Sequence, residues 1–236
     1  MALPKLMHPV FELIIPSTKQ NCKFRPFLVK EEKLLLMAKQ GGIQADITGT
    51  LKQIINNCDV DSVLDVNTLS SFDVEYIFLK LRAKSINNII ELAYTDYEDS
   101  EVYKFEIDAD EIEVIHDPVH TNIIKLSETS GIVMKYPNME LMAKVVSDMD
   151  IADLLFFMIS GCVDQYYDGD NITYFKDVSQ DEITSFIDNL PTKVISEFEN
   201  FFNTMPKIYH KLEYTNKNGT ERVIELKTLE DFFTLR

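Results

Sequence analysis

Tryptophan is absent from the chain, and glycine (seven), cysteine (three) and histidine (four) are scarce. Each shortage excludes something. With so few glycines there is no G-x-x-x-x-G-K-[ST], G-x-G-x-x-G or G-x-S-x-G string, so neither a phosphate cradle nor a nucleophile elbow is expected. Cys22, Cys58 and Cys162 are odd in number, far apart and in no C-x-x-C pair. They read as buried thiols in a reducing compartment, not as a disulfide framework or zinc site. Bases are short as well: 23 Lys and Arg against 39 Asp and Glu give a net charge of -16. That balance opposes binding to a nucleic-acid backbone or an anionic membrane surface, both of which need cations. The longest apolar run, Leu154 to Ile159, is far short of the ~20 residues of a membrane span. Met1 to Lys5 carry no leader pattern, so synthesis and use in the cytoplasm are expected.

What is present describes a globular protein: 45% hydrophobic and 26% charged residues over 236 positions are enough for a sizeable core. The most informative stretch is Phe24 to Met37, where a strand becomes a helix within a few residues. Phe24, Pro26 and Leu28 alternate with Lys23, Arg25 and Phe27. Pro26 has no backbone donor, so the strand should run at an edge or leave its ladder there. Leu28, Leu34, Leu35 and Ala38 then share a helical stripe, with Lys30, Glu31, Lys33 and Lys39 expected on the wetter side. Gly41-Gly42 is the expected stop. The N-terminal half should pack around this joint.

Before the joint, Val10–Ile15 and Cys22–Arg25 flank a polar loop and read as a β-hairpin. After it, helices are expected over about Ile47–Asn57, capped among Asp46–Thr50, and from Ser70 onward, with Phe72, Tyr76, Leu79 and Ala83 on one stripe. Ser70 with Asp73 is a loose capping signal there, and Lys80, Arg82 and Lys84 suit the helix's C-terminal dipole. Five short strands follow, over 88–95, 102–107, 112–115, 122–126 and 131–136, spaced as for one antiparallel sheet fed by hairpins. Helices are expected over 139–146, 150–163, 180–190 and 192–203, with Ser179 and Glu182 as a capping box. A hairpin over 208–215 and 222–226 turns at Asn218-Gly219, and a last short helix begins near Leu229.

The expected fold class is α+β: an N-terminal hairpin and helices with an antiparallel sheet, a mostly helical middle, and a C-terminal β-hairpin plus short helix. The expected divisions are 1–136 (mixed α/β), 137–206 (helical) and 207–236 (terminal hairpin and helix), packed as one unit or two closely associated ones. No repeat or low-complexity linker interrupts them.

Candidate chemistry is sparse. His116 and His120 stand four apart, but Pro118 keeps a regular helix from facing them together; a loop metal site competes with a polar connection, and the connection is preferred. Asp168-Gly169-Asp170-Asn171 resembles half a calcium loop but lacks its alternating acids and its distal Glu, so it reads as a tight turn. Cys162 has no local base and reads as a small buried apolar residue rather than a nucleophile. With 39 acids, carboxylate pairs carry no signal. No catalytic, metal or cofactor site is expected, and nothing favours an enzyme. What remains is an aromatic contact patch, Tyr166, Tyr167 and Tyr174 around Asp168 and Asp170, as a partner-binding surface; the other reading is tyrosines covering a core edge. Between Asp150 and Asn200 eleven acids face two bases, Lys176 and Lys193, which is either a solvated face or a docking face for a basic partner.

Several strings together resemble a known family. They are Leu3-Pro4-Lys5-Leu6, Phe11 to Thr18 and the Phe24 to Lys33 stretch. With them go Cys162 followed by Tyr167 to Asp170, Asp177 to Glu182, Phe201 to Lys207 and Leu229 to Phe233. They resemble the baseplate hub assembly proteins of T-even-type (T-four-like) contractile-tailed bacteriophages. The likeness covers residues 3–40 and 160–236 well and the middle loosely. It implies a non-enzymatic role in building the tail baseplate hub in the host cytoplasm, with other hub proteins as partners, or a structural place in the virion baseplate. Some relatives carry a Cys-x-x-Cys in the terminal hairpin, suggestive of a zinc ribbon; here Thr215-Asn216-Lys217-Asn218-Gly219 stands instead, so no metal is expected there.

Overall fold

A computed structural model of the chain describes residues 6–41, 44–85, 87–145 and 149–234. The expected class holds: the fold is α+β, with small antiparallel sheets and helices. The chain forms two compact units, Met1–Ile115 with Lys207–Arg236, and His116–Pro206.

In the first unit, β1 (Phe11–Ile14) and β2 (Asn21–Phe24) form the expected hairpin, with Leu13, Ile15, Cys22 and Phe24 turned inward. The chain leaves that ladder just before Pro26, as the missing donor requires. Helix α1 (Val29–Gly41) follows at once. Leu3 to Lys5 of the family-like strings and Gly42 of the expected stop lie outside the described residues. One expectation for α1 is overturned. Glu31 is fully buried, because its carboxylate takes both guanidinium arms of Arg25, at 3.0 and 3.3 Å, and accepts the Leu28 amide at 2.9 Å. Arg25 also donates to the Asn57 carbonyl at 2.7 Å, so one ion pair joins β2, α1 and α2 (Gln44–Cys58). Helix α2 starts before its expected cap and buries Leu51, Ile54, Ile55 and Cys58, an i, i+3, i+4, i+7 stripe.

Helix α3 (Ser71–Ser85) is buried almost all round and centres the unit. Its start is bolted by Asp73, which accepts the Ser17 amide at 2.9 Å and the hydroxyls of Ser17 and Ser70. Lys80, one of the cations expected to suit the C-terminal dipole, is only 6% exposed and donates to the carbonyls of Ala109 at 3.1 Å and Asp110 at 2.7 Å. The five expected strands do not make one sheet. β3 (Ile89–Thr95) and β4 (Val102–Asp108) form a two-stranded hairpin, and β5 (Glu113–Ile115) belongs to a different sheet.

The second unit starts with β6 (Ile123–Lys125) and β7 (Ser130–Met134). A single turn, α4 (Met139–Met142), is capped by Asn138; the helix expected over 139–146 stops there, with Ala143 and Lys144 in a turn and Val145 in no regular element, and only Val146 lies outside the described residues. Helix α5 (Ile151–Cys162), capped by Asp150, passes without a loop into β8 (Val163–Asp168), which turns into β9 (Asn171–Tyr174). Nothing in the apolar periodicity marks this hairpin, which interrupts the stretch expected to be mostly helical. The sheet order is β6-β7-β8-β9. Helix α6 (Gln180–Asp188) has the expected Ser179–Glu182 capping box, and α7 (Ile195–Thr204) follows a short 3₁₀ turn over Thr192–Val194. Ile124, Ile132, Ile159, Val163, Phe198 and Phe201 lie at the centre of this unit.

The chain then returns to the first unit with β10 (Lys207–Thr215) and β11 (Glu221–Leu226). β10 pairs with β11 on one side and β5 on the other, and α8 (Asp231–Thr234) closes the unit with Phe232 fully buried.

Candidate functional site

The expected contact patch falls on the four-stranded sheet of the second unit, and strand parity sorts its residues between two faces. Tyr166 stands opposite Ile132 and Thr173 and packs edge-on against Phe186, 5.3 Å between ring centroids. It therefore belongs to the core side. Tyr167 is opposite Gly131 and Ile172, and Tyr174 is opposite Gln165; these sit on the outer side, next to Ile123 and Val133. Ile123, Ile172 and Tyr174 are 42%, 53% and 43% exposed, so the outer side is an apolar surface bounded by Lys125 and Gln165.

Tyr167 has a second duty. A Cβ placed on Gly131 would lie 2.5 Å from the Tyr167 hydroxyl and 2.7 Å from the Ile124 carbonyl, so the tyrosine occupies the space that the glycine leaves empty. The Lys176 ammonium lies 5.2 Å from the Tyr174 ring centroid. Asp168 and Asp170 flank Gly169, whose φ of +56° suits the first position of a two-residue hairpin loop. Both acids are exposed at the tip, and β9 is an edge strand whose four residues are all exposed.

His120 lies between the Thr204 hydroxyl (2.9 Å) and the Tyr136 hydroxyl (3.0 Å) and stacks on Tyr136. Cys162 is buried, and burial pushes its thiol up to about 12, far from a thiolate nucleophile. Among the described residues no group of three or more His, Cys, Asp or Glu is placed to hold a metal ion. No helix is long and apolar enough to cross a membrane, among the described residues.

One further constellation, in the first unit, has no local trace in the sequence. The β3–β4 turn meets the β10–β11 turn through Asp96 and Glu98. Asp96 accepts the Tyr214 hydroxyl at 2.5 Å and Arg222 Nε at 3.3 Å, while Glu98 takes the other Arg222 nitrogen at 2.5 Å and Asn216 Nδ2 at 2.9 Å. Asp99 accepts the Lys217 amide at 3.0 Å, and the Arg222 guanidinium lies 4.4 Å from the Tyr97 ring centroid. Gly219, at φ +85°, closes the loop that these groups grip. The Asp96 partners are 118 and 126 residues away, and local spacing cannot announce such pairing.

The second unit thus carries a small antiparallel sheet with an apolar outer face. The family model described as T4 bacteriophage base plate protein matches residues 8–234, and the chain belongs to that family. No curated protein and no solved structure matches it.

Proposed function

We propose that this is a non-enzymatic assembly protein of the phage baseplate hub, which binds other hub subunits while the tail is built in the host cytoplasm. The observation that carries the reading is the outer face of the β6–β9 sheet. There Ile123, Ile172 and Tyr174 stay exposed beside Val133 and Tyr167, with Asp168 and Asp170 at the tip. Exposed apolar faces rimmed by polar groups are typical of protein–protein contact surfaces. The partner we propose is a hub subunit with a basic rim, since this chain is strongly acidic. The free edge of β9 offers backbone groups for strand addition alongside the side-chain contact. An assembly factor that is later released needs a modest interface, on the order of 1,200 Å² or less.

A second reading is a structural subunit retained in the mature baseplate, and the family description, a base plate protein, favours it. Mass spectrometry of purified virions separates the two: stoichiometric recovery supports retention, and absence supports release. Interaction itself is tested by pull-down from infected cells with the wild-type chain and an Ile172→Ser/Tyr174→Ser variant, at low and high salt. Loss of tail proteins from the variant supports the sheet face; unchanged recovery removes it.

A further inference from the structure

A different surface of the second unit carries a more specific inference. Helix α5 reads Ile151-Ala152-Asp153-Leu154-Leu155-Phe156-Phe157-Met158-Ile159-Ser160-Gly161-Cys162, apolar on nearly every side, yet only Ile159 and Cys162 are buried. Helices of that composition are normally enclosed. Phe156 remains 39% exposed beside a cavity of about 150 Å³ where α5 meets the corner between α6 and α7. Phe156, Ile159, Ile187, Pro191, Ile195 and Phe198 line it. A dry apolar cavity of about that volume accommodates a benzene ring, so the size suits one large side chain, the kind of anchor that dominates protein interfaces.

One acid at the cavity, and the acidic character of the elements that form it, select the occupant. Asp188 lines the cavity itself. Across α5, α6, α7 and their caps stand Asp150, Asp153, Asp181, Glu182, Asp188, Glu197 and Glu199, against Lys193 as the one base between α6 and α7. A second copy would bring the same acids against these, since each chain carries -16, and like charges facing each other oppose association. We propose that this pocket receives a phenylalanine- or leucine-sized side chain from a lysine- or arginine-bearing segment of another protein. The inference rests on the reading that the chain works by binding other tail proteins, and it names the chemistry that one of them must present.

The test uses the full chain and a fluorescein-labelled 16-residue helical peptide with Leu and Phe at i, i+3, i+4 and i+7 and Lys at the remaining positions. Two control peptides replace Lys by Glu, or the apolar residues by Ser. Fluorescence anisotropy should show the Lys peptide binding at least tenfold more tightly than either control, and losing several-fold affinity between 50 and 500 mM salt. Asp188→Lys, a surface change that leaves packing intact, should weaken the Lys peptide and favour the Glu peptide. Phe156→Ser should weaken binding about tenfold, with Val63→Ser, at an exposed position of the first unit, as an unaffected control. Equal binding of the Lys and Glu peptides, no binding, or indifference to Asp188→Lys overturns the proposal. So does a dimer in sedimentation that Phe156→Ser dissolves. A chain that fails these tests while its Asp188→Lys variant still supports tail assembly loses the pocket but keeps the assembly role.

Discussion

His120 Nδ1 lies 2.9 Å from Thr204 Oγ1, and a neighbouring carbonyl fixes the direction of that bond. The Thr204 hydroxyl donates to the Asn200 carbonyl at 2.6 Å, so it accepts from His120, and the imidazole carries its proton on Nδ1. Nε2 is then free to accept from Tyr136 at 3.0 Å. The bond joins the chain just after it enters the second unit to the end of α7, just before it leaves. Removing the ring with His120→Ala takes away both hydrogen bonds and the stacking on Tyr136 and Phe201. It should cost about 2–4 kcal/mol in denaturant unfolding.

The same histidine sets a pH dependence. Burial holds its pKa below the ordinary value of 6.5, so the unfolded chain binds the proton more readily than the folded one. The stability this neutral ring contributes is complete above about pH 6.5 and declines as pH falls below that, towards the depressed folded value. Thermal melts of the wild type between pH 8 and 5 should fall more steeply than those of His120→Gln. Parallel curves would remove His120 as the cause.

Glu75 should act in the opposite sense. Burial raises its carboxyl to about 7, offset in part by the donating Leu229 amide and reinforced by nearby Asp231. The folded state therefore prefers the proton, and stability is lost as pH rises from about 4.5 through 7. Glu75→Gln mimics the protonated form. It should raise stability at pH 8 by about 1–3 kcal/mol and change it little at pH 4.5, as read by urea unfolding at the two values.

At the strand-to-helix joint, Arg25→Met leaves buried Glu31 with only the exposed Lys30 ammonium, 3.4 Å away, and the Leu28 amide. A loss of about 2–4 kcal/mol is expected, because a buried carboxylate that loses its bidentate partner keeps most of its desolvation cost. Replacing both, Arg25→Met with Glu31→Leu, should recover much of the loss. Equal destabilisation by the single and double variants would show that the guanidinium matters through the Asn57 carbonyl instead.

Two glycines should respond with opposite signs to alanine. At Gly131 the new methyl meets the Ile124 carbonyl at 2.7 Å as well as Tyr167, and main chain cannot step aside cheaply; about 1–3 kcal/mol should be lost. Gly49, inside α2, has nothing within 4 Å of the point its new methyl would occupy, and Gly49→Ala should gain up to about 1 kcal/mol. Calorimetric melting of both variants checks the pair.

Much of the fold is legible residue by residue. The hairpins at either end, the Ser179–Glu182 cap and the stripe on α2 follow from local chemistry. The joint at Phe24 to Lys33 is recognisable as a string, but its cause is not: Glu31 looks solvated from its helical position, and only the fold brings Arg25 over it. Strand partners are the least legible part. β5 pairs with β10, about ninety residues later, and spacing between neighbouring strands carries no information about that. β8 is hidden because Gly161, the break nearest the change, lies inside the last turn of α5 against the Leu141 side chain, and Cys162 passes directly from helix into Val163 of the strand. Tyr166, Tyr167 and Tyr174 are visible as a group, but which side each takes depends on a register that is disturbed at Val133/Met134. The grip of Asp96 and Glu98 on Arg222 has no local signature at all.

That β5, among the described residues, pairs with β10 alone also bears on synthesis. While the ribosome translates residues 116–206, the first 115 residues wait with a strand edge unfilled, and their core lacks Leu226 and Phe232. The second unit is made of one continuous stretch and can finish first. The discontinuous unit matures only after translation passes β11, so any surface it offers becomes available last, which imposes a built-in delay between elongation and use.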